Sequence, residues 1–419
     1  MAMLDVGRLP GVVALSPDRQ EVPKLLRVAL YVMLILGGIL SLPRLGSITP
    51  LPMTALLDAW IIVFMVAAIV RGRTSHGGLL LLLGVYLLTR FVPALANSSP
   101  LEDTLQAYRW LLYLVAFVFA VGRNWGPPGP LVGVTWALVA MAFLKAAATF
   151  ALLGPGERPG LLLENNFELA LFSGLVIVTY KFISPAARLG IVALMGGLTL
   201  LSGSRSGAVA FLILTVFAVT QSSRANLFVR YMLLLAIPVV GLLAVQVFES
   251  RAVSGGTIDR VRFFDVFLGE TSNWTALQWI FGTTPITPLS PGACARLSYY
   301  EKLLSSAGDG SCYSVILHAF NMRVVFDAGI FGLLLALFVA WYAMKSARVP
   351  LSVNLALLAV AFSNGFSVSG LNNPYVALPI VLAILLARSG FWATTPSEPS
   401  QTARAASMFD LRRVSSSGP

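Results

Sequence analysis

Long apolar runs separated by short polar stretches recur along almost the whole chain. A helix needs about 20 apolar residues to cross roughly 30 Å of hydrocarbon, and only helices and closed barrels satisfy their backbone hydrogen bonds in lipid. The runs fit helices, because the alternation in segments of about ten residues that marks a membrane barrel does not recur. With 57% hydrophobic and 11% charged residues, the sequence predicts an all-α polytopic membrane protein.

About twelve apolar runs are predicted to be transmembrane spans. They lie near residues 25–42, 53–70, 77–94, 105–121, 130–151, 167–182, 187–202, 207–222, 231–248, 322–344, 351–369 and 374–388. The first run lacks a small-residue cleavage site and is followed by many more. We therefore interpret it as a retained span and not as a signal peptide.

The spans divide the chain into four predicted parts. Residues 1–248 form an N-terminal transmembrane bundle of about nine helices, and residues 322–390 form the C-terminal transmembrane helices. Between them, residues 249–321 are a connection too long to be a mere link. The tail 391–419 is rich in Ser, Pro and Thr, a composition typical of disorder.

Lys and Arg are unevenly distributed among the connections between spans. If the N-terminus is cytoplasmic, every inner loop carries a cation, whereas the short outer loops around Gly46, Ser98 and Asn373 are nearly free of them. By the positive-inside rule, both termini are then cytoplasmic and the large loop 249–321 is periplasmic. The formal net charge of +11 is assigned to basic membrane edges and not to a nucleic-acid surface.

The sequence has two cysteines, and both fall in the large outer loop. Two cysteines buried inside the membrane would be the default expectation for so apolar a chain. In an oxidising periplasm, Cys294 and Cys312 are free to pair. We therefore predict a disulfide between them, which would limit the disorder of this loop.

Eight ionisable residues fall inside predicted spans, all toward the outer ends. They are Asp58, Arg90, Arg109, Lys145, Glu168, Arg205, Arg323 and Asp327. Taken singly, each is explained by snorkelling or by an Asp–Arg pair that holds two helices together. Taken together at one depth, they favour a polar, mostly cationic cavity open to the periplasm. An excess of cations suits an anionic ligand such as a diphosphate, which Arg binds in bidentate fashion.

Two polar motifs contain arginines, one before the large loop and one within it. The segment 202–207, Ser-Gly-Ser-Arg-Ser-Gly, is a tight turn between two apolar helices and projects Arg205 at the outer membrane edge. Within the loop, Arg260 and Arg262 stand beside two phenylalanines and precede the segment 279–282, Trp-Ile-Phe-Gly. In isolation, the first motif is equally an ordinary helix hairpin and the second a surface patch.

A third motif begins at His318, where the loop returns to the membrane. His318 is followed by Ala319 and, further on, by Gly329 and Gly332 at the start of the next span. The other histidine, His76, lies in an inner loop, so His318 is the single imidazole predicted on the outer face. The simpler interpretation of His318 is a polar residue that caps the following span.

In this order, the motifs resemble those of the O-antigen ligase and Wzy-type O-antigen polymerase superfamily of bacterial envelope glycan assembly. Members typically show an Asn-rich turn, a Ser-Arg turn, a periplasmic-loop Arg followed by a Gly-containing segment, and a His that precedes Gly-x-x-Gly. The matching residues, within roughly 160–335, are Asn165, Asn166, Arg205, Arg260, Gly282, His318, Gly329 and Gly332.

One residue departs from the family pattern. Members usually have Asn, Ser or Gln directly after the His, whereas this chain has Ala319. Asn321, about one helical turn further on, is expected to supply a polar group on the same face. The departure disfavours a ligase, because ligases are most often described by that residue pair.

The resemblance implies a metal-independent, GT-C-like inverting glycosyltransferase in the bacterial inner membrane, with its active site on the periplasmic side and no cofactor. The donor would be an undecaprenyl-diphosphate-linked oligosaccharide, and the acceptor a glycan or lipid A-core. His318 is the expected base. Arg205 and Arg260 are expected to bind the diphosphate, assisted by Arg262 or Arg323. The expected supporting residues are Asn165, Asn166, Asn321 and Asp327.

Three functions remain open from the sequence. Polymerisation of lipid-linked repeat units is favoured over ligation of a finished glycan to lipid A-core, and both reactions use the same donor. A secondary transporter is the alternative of another class, since many transporters also have about twelve spans. Transporters place ionisable or broken-helix sites near the bilayer midplane, whereas the charges here lie at one outer depth.

Overall fold

The structure is a computed structural model that describes residues 21–72, 76–96, 100–154, 157, 160–221, 231 and 259–387. Over these residues the chain is helical and contains no β-strand. The helices are α1 Lys24–Ser41, α2 Met53–Arg71, α3 Gly77–Ala96, α4 Leu101–Ala120, α5 Gly129–Leu153, α6 Asn165–Thr179, α7 Pro185–Ser202, α8 Arg205–Gln221, α9 Asp259–Thr271, α10 Ala276–Phe281, α11 Pro291–Arg296, α12 Phe320–Ser346, α13 Leu351–Gly365 and α14 Pro374–Ala387.

Six helices in the described part of the chain are long and apolar enough to cross a membrane. They are α1, α2, α3, α5, α7 and α12. The helices α8, α13 and α14 are also apolar but shorter. In its coarse form, the prediction of an all-α, multi-pass membrane protein is therefore confirmed.

The helix positions agree closely with the predicted spans wherever the two can be compared. The largest differences are a start at Leu101 instead of 105 and an end at Gly365 instead of 369. The predicted span 231–248 and the tail 391–419 lie outside the described residues. The agreement follows from the length that hydrocarbon imposes on an apolar helix.

Helix α14 lies at the centre of the bundle, because every one of its residues is buried. It approaches α6 so closely that a Cβ added at Gly174 would lie 2.6 Å from the ring of Pro379. Helix α6 is buried almost throughout as well. Helices α6 and α14 form the core of the bundle. The polar residues described below lie at one end of it.

Residues 259–319 fold over one end of the bundle, which we call the loop face. They have a hydrophobic cluster of their own, which includes Phe263, Phe267 and Leu297 and extends to Met322 and Phe326 of α12. Cys294 and Cys312 are buried in this cluster and are joined by a disulfide. At its edge, Ser305 donates a hydrogen bond of 2.7 Å to Asp103 in the first turn of α4.

Candidate functional site

His318 ends the short 3₁₀ turn Ser314–Leu317 and has a φ of 57°. A positive φ is uncommon outside glycine, and His is among the residues enriched in this left-handed region. The imidazole is half-buried between two aromatic rings, with centroid distances of 6.1 Å to Phe263 and 5.9 Å to Tyr300. The left-handed backbone thus presents the imidazole between α9 and the loop 297–304.

Hydrogen bonds fix the backbone on both sides of His318, one to α12 and one to the connection that follows α13. The Ser314 hydroxyl donates to Asp327 Oδ2 at 2.5 Å, and both residues are buried. On the other side, the Phe320 amide donates to the Val368 carbonyl at 3.0 Å. His318 therefore lies between two anchored points of the backbone.

The structure corrects the expected relation between His318 and Asn321. Because His318 precedes α12 and has a left-handed backbone, the three-residue spacing does not place the two side chains on one helical face. Asn321 instead packs against α13, where its amide donates to the Phe362 carbonyl at 3.1 Å. The N-cap residue of α12 is Ala319, which makes no side-chain capping hydrogen bond. The alternative interpretation of His318 as a polar residue that caps this span stays a prediction.

The Asn-containing turn and the Ser-Arg turn meet directly on the loop face. Asn166 Oδ1 accepts hydrogen bonds from Ser204 at 2.7 Å and from Ser206 at 3.0 Å. The Asn166 carbonyl accepts one from Asn364 near the end of α13. Arg205, between the two serines, is the half-buried first residue of α8. The side chain of Asn165 lies outside the described residues.

Arg262 belongs to a row of aromatic contacts that leads to His318. Its guanidinium lies 5.1 Å from the ring centroid of Tyr299, which is 4.4 Å from that of Tyr300. Tyr300 in turn contacts His318. The backbone of Arg260 lies in α9, but its side chain is outside the described part of the structure.

Arg323 and Asp327 are buried in the first two turns of α12. Arg323 donates to the Gln106 carbonyl at 3.4 Å, and Asp327 accepts the bond from Ser314. Within the described residues, Arg323 Nε and Asp327 Oδ1 have no hydrogen-bond partner. These two atoms retain the capacity to donate to, or accept from, a ligand or a water molecule.

Two other charged residues of the spans form a bridge between helices. Arg109 Nη1 and Asp58 Oδ2 are 3.1 Å apart and join α4 to α2. The same carboxylate accepts a bond of 2.5 Å from Tyr113. Arg109 also donates to the Asn372 carbonyl. For this pair the structure supports the simpler interpretation, in which an ion pair holds two helices together.

Lys145 and Glu168 likewise bind backbone groups of the connections that precede α2 and α6. The Lys145 ammonium donates to Ser41 Oγ and to the carbonyls of Ser47 and Gly160, at 2.6 to 2.7 Å. Glu168 Oε2 accepts from the amides of residues 161 and 162. Lys145 and Glu168, like Arg109 and Asp58, therefore have partners within the protein.

Two glycines of the predicted motifs meet at a break in α12. Gly329 has a φ of 69°, and a Cβ added there would lie 2.1 Å from the Ile280 carbonyl oxygen. A Cβ at Gly282, with a φ of 79°, would lie 2.5 Å from the Ala328 nitrogen. Such close approach of two backbones requires glycine at both positions. The break thus attaches α10 of the loop to α12.

The chain matches no known family model, and comparisons with curated proteins and with solved structures likewise give no match. Among the described residues, no three His, Cys, Asp or Glu side chains are grouped as a metal site requires. The site is therefore defined by its own geometry, which combines an imidazole, a row of aromatic rings and arginines on the loop face.

Proposed function

We propose that the protein is an inner-membrane glycosyltransferase that transfers an undecaprenyl-diphosphate-linked glycan to an acceptor hydroxyl at the periplasmic face. In this proposal the chain has about twelve spans, a GT-C-like arrangement and cytoplasmic termini. The observation that carries it is the setting of His318, a half-buried imidazole held by a left-handed backbone between Phe263 and Tyr300. Packing against these aromatic rings limits the contact of the imidazole with water.

His318 would act as the base of a direct displacement. The imidazole accepts the proton of the acceptor hydroxyl while that oxygen forms a bond to the anomeric carbon of the donor. The bond from this carbon to the diphosphate breaks, and the lipid diphosphate leaves with the electron pair. Attack from the opposite side inverts the anomeric centre.

The arginines of the loop face would stabilise the charge that grows on the leaving diphosphate. Arg205 begins α8 beside the Asn166 contacts, and Arg262 lies on the aromatic row that reaches His318. Arg323 keeps a donor atom without a partner in the described structure. We assign the diphosphate to Arg205 and Arg260, with Arg262 or Arg323 assisting.

The decisive experiment is transfer by the purified His318→Ala variant. Loss of a general base should lower the rate by roughly 100- to 10,000-fold, while the variant still binds the lipid diphosphate. His76→Ala is the matched control, because His76 contacts Tyr342 in another part of the chain and should not affect transfer. Transfer by His318→Ala at the wild-type rate between about pH 6 and pH 9 would remove His318 from the mechanism.

We propose polymerisation of O-antigen or exopolysaccharide repeat units as the reaction, with ligation to lipid A-core as the alternative. The glycan profile of a deletion strain separates them. Single repeats still attached to their carrier or core, with loss of chain length, indicate a polymerase. Undecorated core together with intact lipid-linked polymer indicates a ligase.

The break in α12 is an observation that favours the transporter alternative, since transporters coordinate ions with the carbonyls of broken helices. Here the two carbonyls at the break accept hydrogen bonds from the protein. Thr283 donates to the Phe326 carbonyl at 2.9 Å, and Arg90 donates to the Asp327 carbonyl at 3.0 Å. Proton-coupled uptake by vesicles that contain the protein would revive this alternative.

A further inference from the structure

The outward side of α9 is divided into an apolar and a polar stripe. Its core side packs into the loop cluster through Phe263, Val266 and Phe267. Of its exposed residues, Val261, Phe264 and Leu268 are spaced three and four apart and form one apolar stripe. Arg262, Asp265 and Gly269 form a polar stripe beside it. A helix that faces only water has no reason to expose three large apolar side chains in a row.

Helix α10, which packs on α12, also exposes apolar side chains. Leu277, Ile280 and Phe281 are exposed, and together with the three residues of α9 their exposed fractions range from 44% to 67%. The two helices are in contact through Phe267 and Trp279, whose ring centroids are 6.3 Å apart. We call these six residues the apolar ridge.

The apolar ridge is continuous with the lipid-facing side of a helix that is long enough to span a membrane. Phe281 contacts Phe331 of α12 at a centroid distance of 6.0 Å. Phe331 is itself exposed, as are Ile330 and Leu334 on the same helix. Exposed apolar side chains on a membrane-spanning helix face lipid. The same lipid would therefore meet the end of α10.

The depth of this contact agrees with the edge of the hydrocarbon. After the break at Gly329, the continuous segment 330–346 of α12 is about 25 Å long at about 1.5 Å per residue, a length close to the roughly 30 Å thickness of the hydrocarbon. Gly329, against which α10 packs, is at the outer end of this segment. The end of α10 thus lies close to the boundary between headgroups and acyl chains.

We propose that the apolar ridge docks on the lipid bilayer, so that α9 and α10 lie in the membrane interface and the large loop is a peripheral membrane element. Interfacial helices of this kind bury one apolar side at the boundary of headgroups and acyl chains and keep a polar side in water. Trp274 and Trp279, both half-buried beside the apolar ridge, are of the residue type enriched at this depth. The inference requires that α12 spans the membrane, and it does not depend on which reaction the protein performs.

The test places a fluorophore on each stripe of the full-length protein. Cysteines are introduced one at a time by Leu268→Cys and Ile280→Cys on the apolar ridge, and by Asp265→Cys as the matched control on the polar stripe of α9. Without reductant, the native disulfide leaves each new thiol as the target of an NBD reagent. All three positions are exposed, so the substitutions remove no core contact, and elution as a single species in detergent checks each variant.

The labelled protein is reconstituted in phosphatidylcholine vesicles that contain no polyprenyl lipid. At positions 268 and 280 we expect blue-shifted emission, loss of fluorescence to a spin-labelled phospholipid and protection from iodide supplied on both sides. At position 265 we expect the reverse. Quenching by iodide at 268 and 280 equal to that at 265 would overturn the proposal. Protection from both quenchers would also overturn it, because the apolar ridge would then be covered by protein, such as a second copy.

Discussion

Asp327 connects the candidate base to the interior of the bundle at the level of single side chains. Its carboxylate accepts the Ser314 hydroxyl, and the turn that begins at Ser314 ends at His318. A hydrogen bond to a charged group is worth about 1.5–3 kcal/mol. This bond therefore helps to hold His318 in its left-handed backbone conformation, which is unfavourable for a residue other than glycine.

The Ser314–Asp327 bond should affect turnover more than donor binding. We expect Asp327→Ala and Ser314→Ala each to lower kcat by up to about 100-fold, because displacement of a reacting group by about 1 Å has costs of this order. Asp327→Asn should be milder, since its amide oxygen can still accept from Ser314. The double Ala variant should be no worse than the more severe single one. Equal losses in donor affinity would mean instead that Asp327 acts through the bound donor.

The geometry of the guanidinium separates specific diphosphate binding from a general positive field. We expect Arg205→Ala and Arg260→Ala to weaken donor use strongly, and the Lys variants to recover activity only in part, because Lys lacks the bidentate fork. The measurement is KM for the lipid-linked donor in detergent or vesicles. Full activity of both Lys variants would favour a general field, and full activity of both Ala variants would exclude the two residues.

At the level of elements, the contact between α10 and α12 depends on glycine twice. Gly329 allows both the break in α12 and the approach of the Ile280 carbonyl. Gly282 allows the Ala328 backbone to approach α10 in turn. Thr283 then donates to a carbonyl that the break leaves without its helical partner. Loop and bundle are therefore joined through backbone atoms, which few substitutions can imitate.

Gly329→Ala should destabilise the protein far more than Gly308→Ala. Their φ angles are nearly equal, 69° and 68°, but a Cβ at Gly308 meets nothing within 4 Å. A side chain at a positive φ carries strain of about 1–3 kcal/mol, and the ψ of −178° at Gly329 lies in a region that is almost restricted to glycine. Gly329→Ala should lose roughly 1–3 kcal/mol more, because Thr283 can no longer reach its carbonyl. Apparent Tm in detergent measures the difference, and equal shifts would show that the close contact adds nothing.

The positions of the helices were predictable because hydrocarbon thickness fixes the length of an apolar run. The break in α12 was not, because glycines inside an apolar helix are usually tolerated and the sequence does not distinguish Gly329 from Gly332. The meeting of Asn166 with Ser204 joins residues 38 apart, and the resemblance named both turns without predicting that they meet. The role of Ser314 could not be predicted from the sequence, because the backbone changes direction between Ser314 and its partner Asp327.

For the whole molecule, the positive-inside rule predicts on which side of the membrane each connection lies. A reporter that is active only outside the cytoplasm should be active when inserted at Gly308, and one that is active only inside should be active when fused after Ala387. Gly308 is suitable because it is exposed and meets no neighbour. The reverse pattern of activities would place the candidate site on the cytoplasmic side and end the proposal of a periplasmic donor.

The break at Gly329 also changes the electrostatics of the bundle, because it divides α12 into the segments 320–328 and 330–346. Aligned peptide dipoles give the carboxyl end of a helix a partial charge of about −0.5. The short first segment therefore ends in a negative pole inside the protein, and the Arg90 guanidinium donates to a carbonyl of that pole. Arg90 is neutralised in part by peptide groups that carry no formal charge, so a count of ionised side chains overstates how positive this region is.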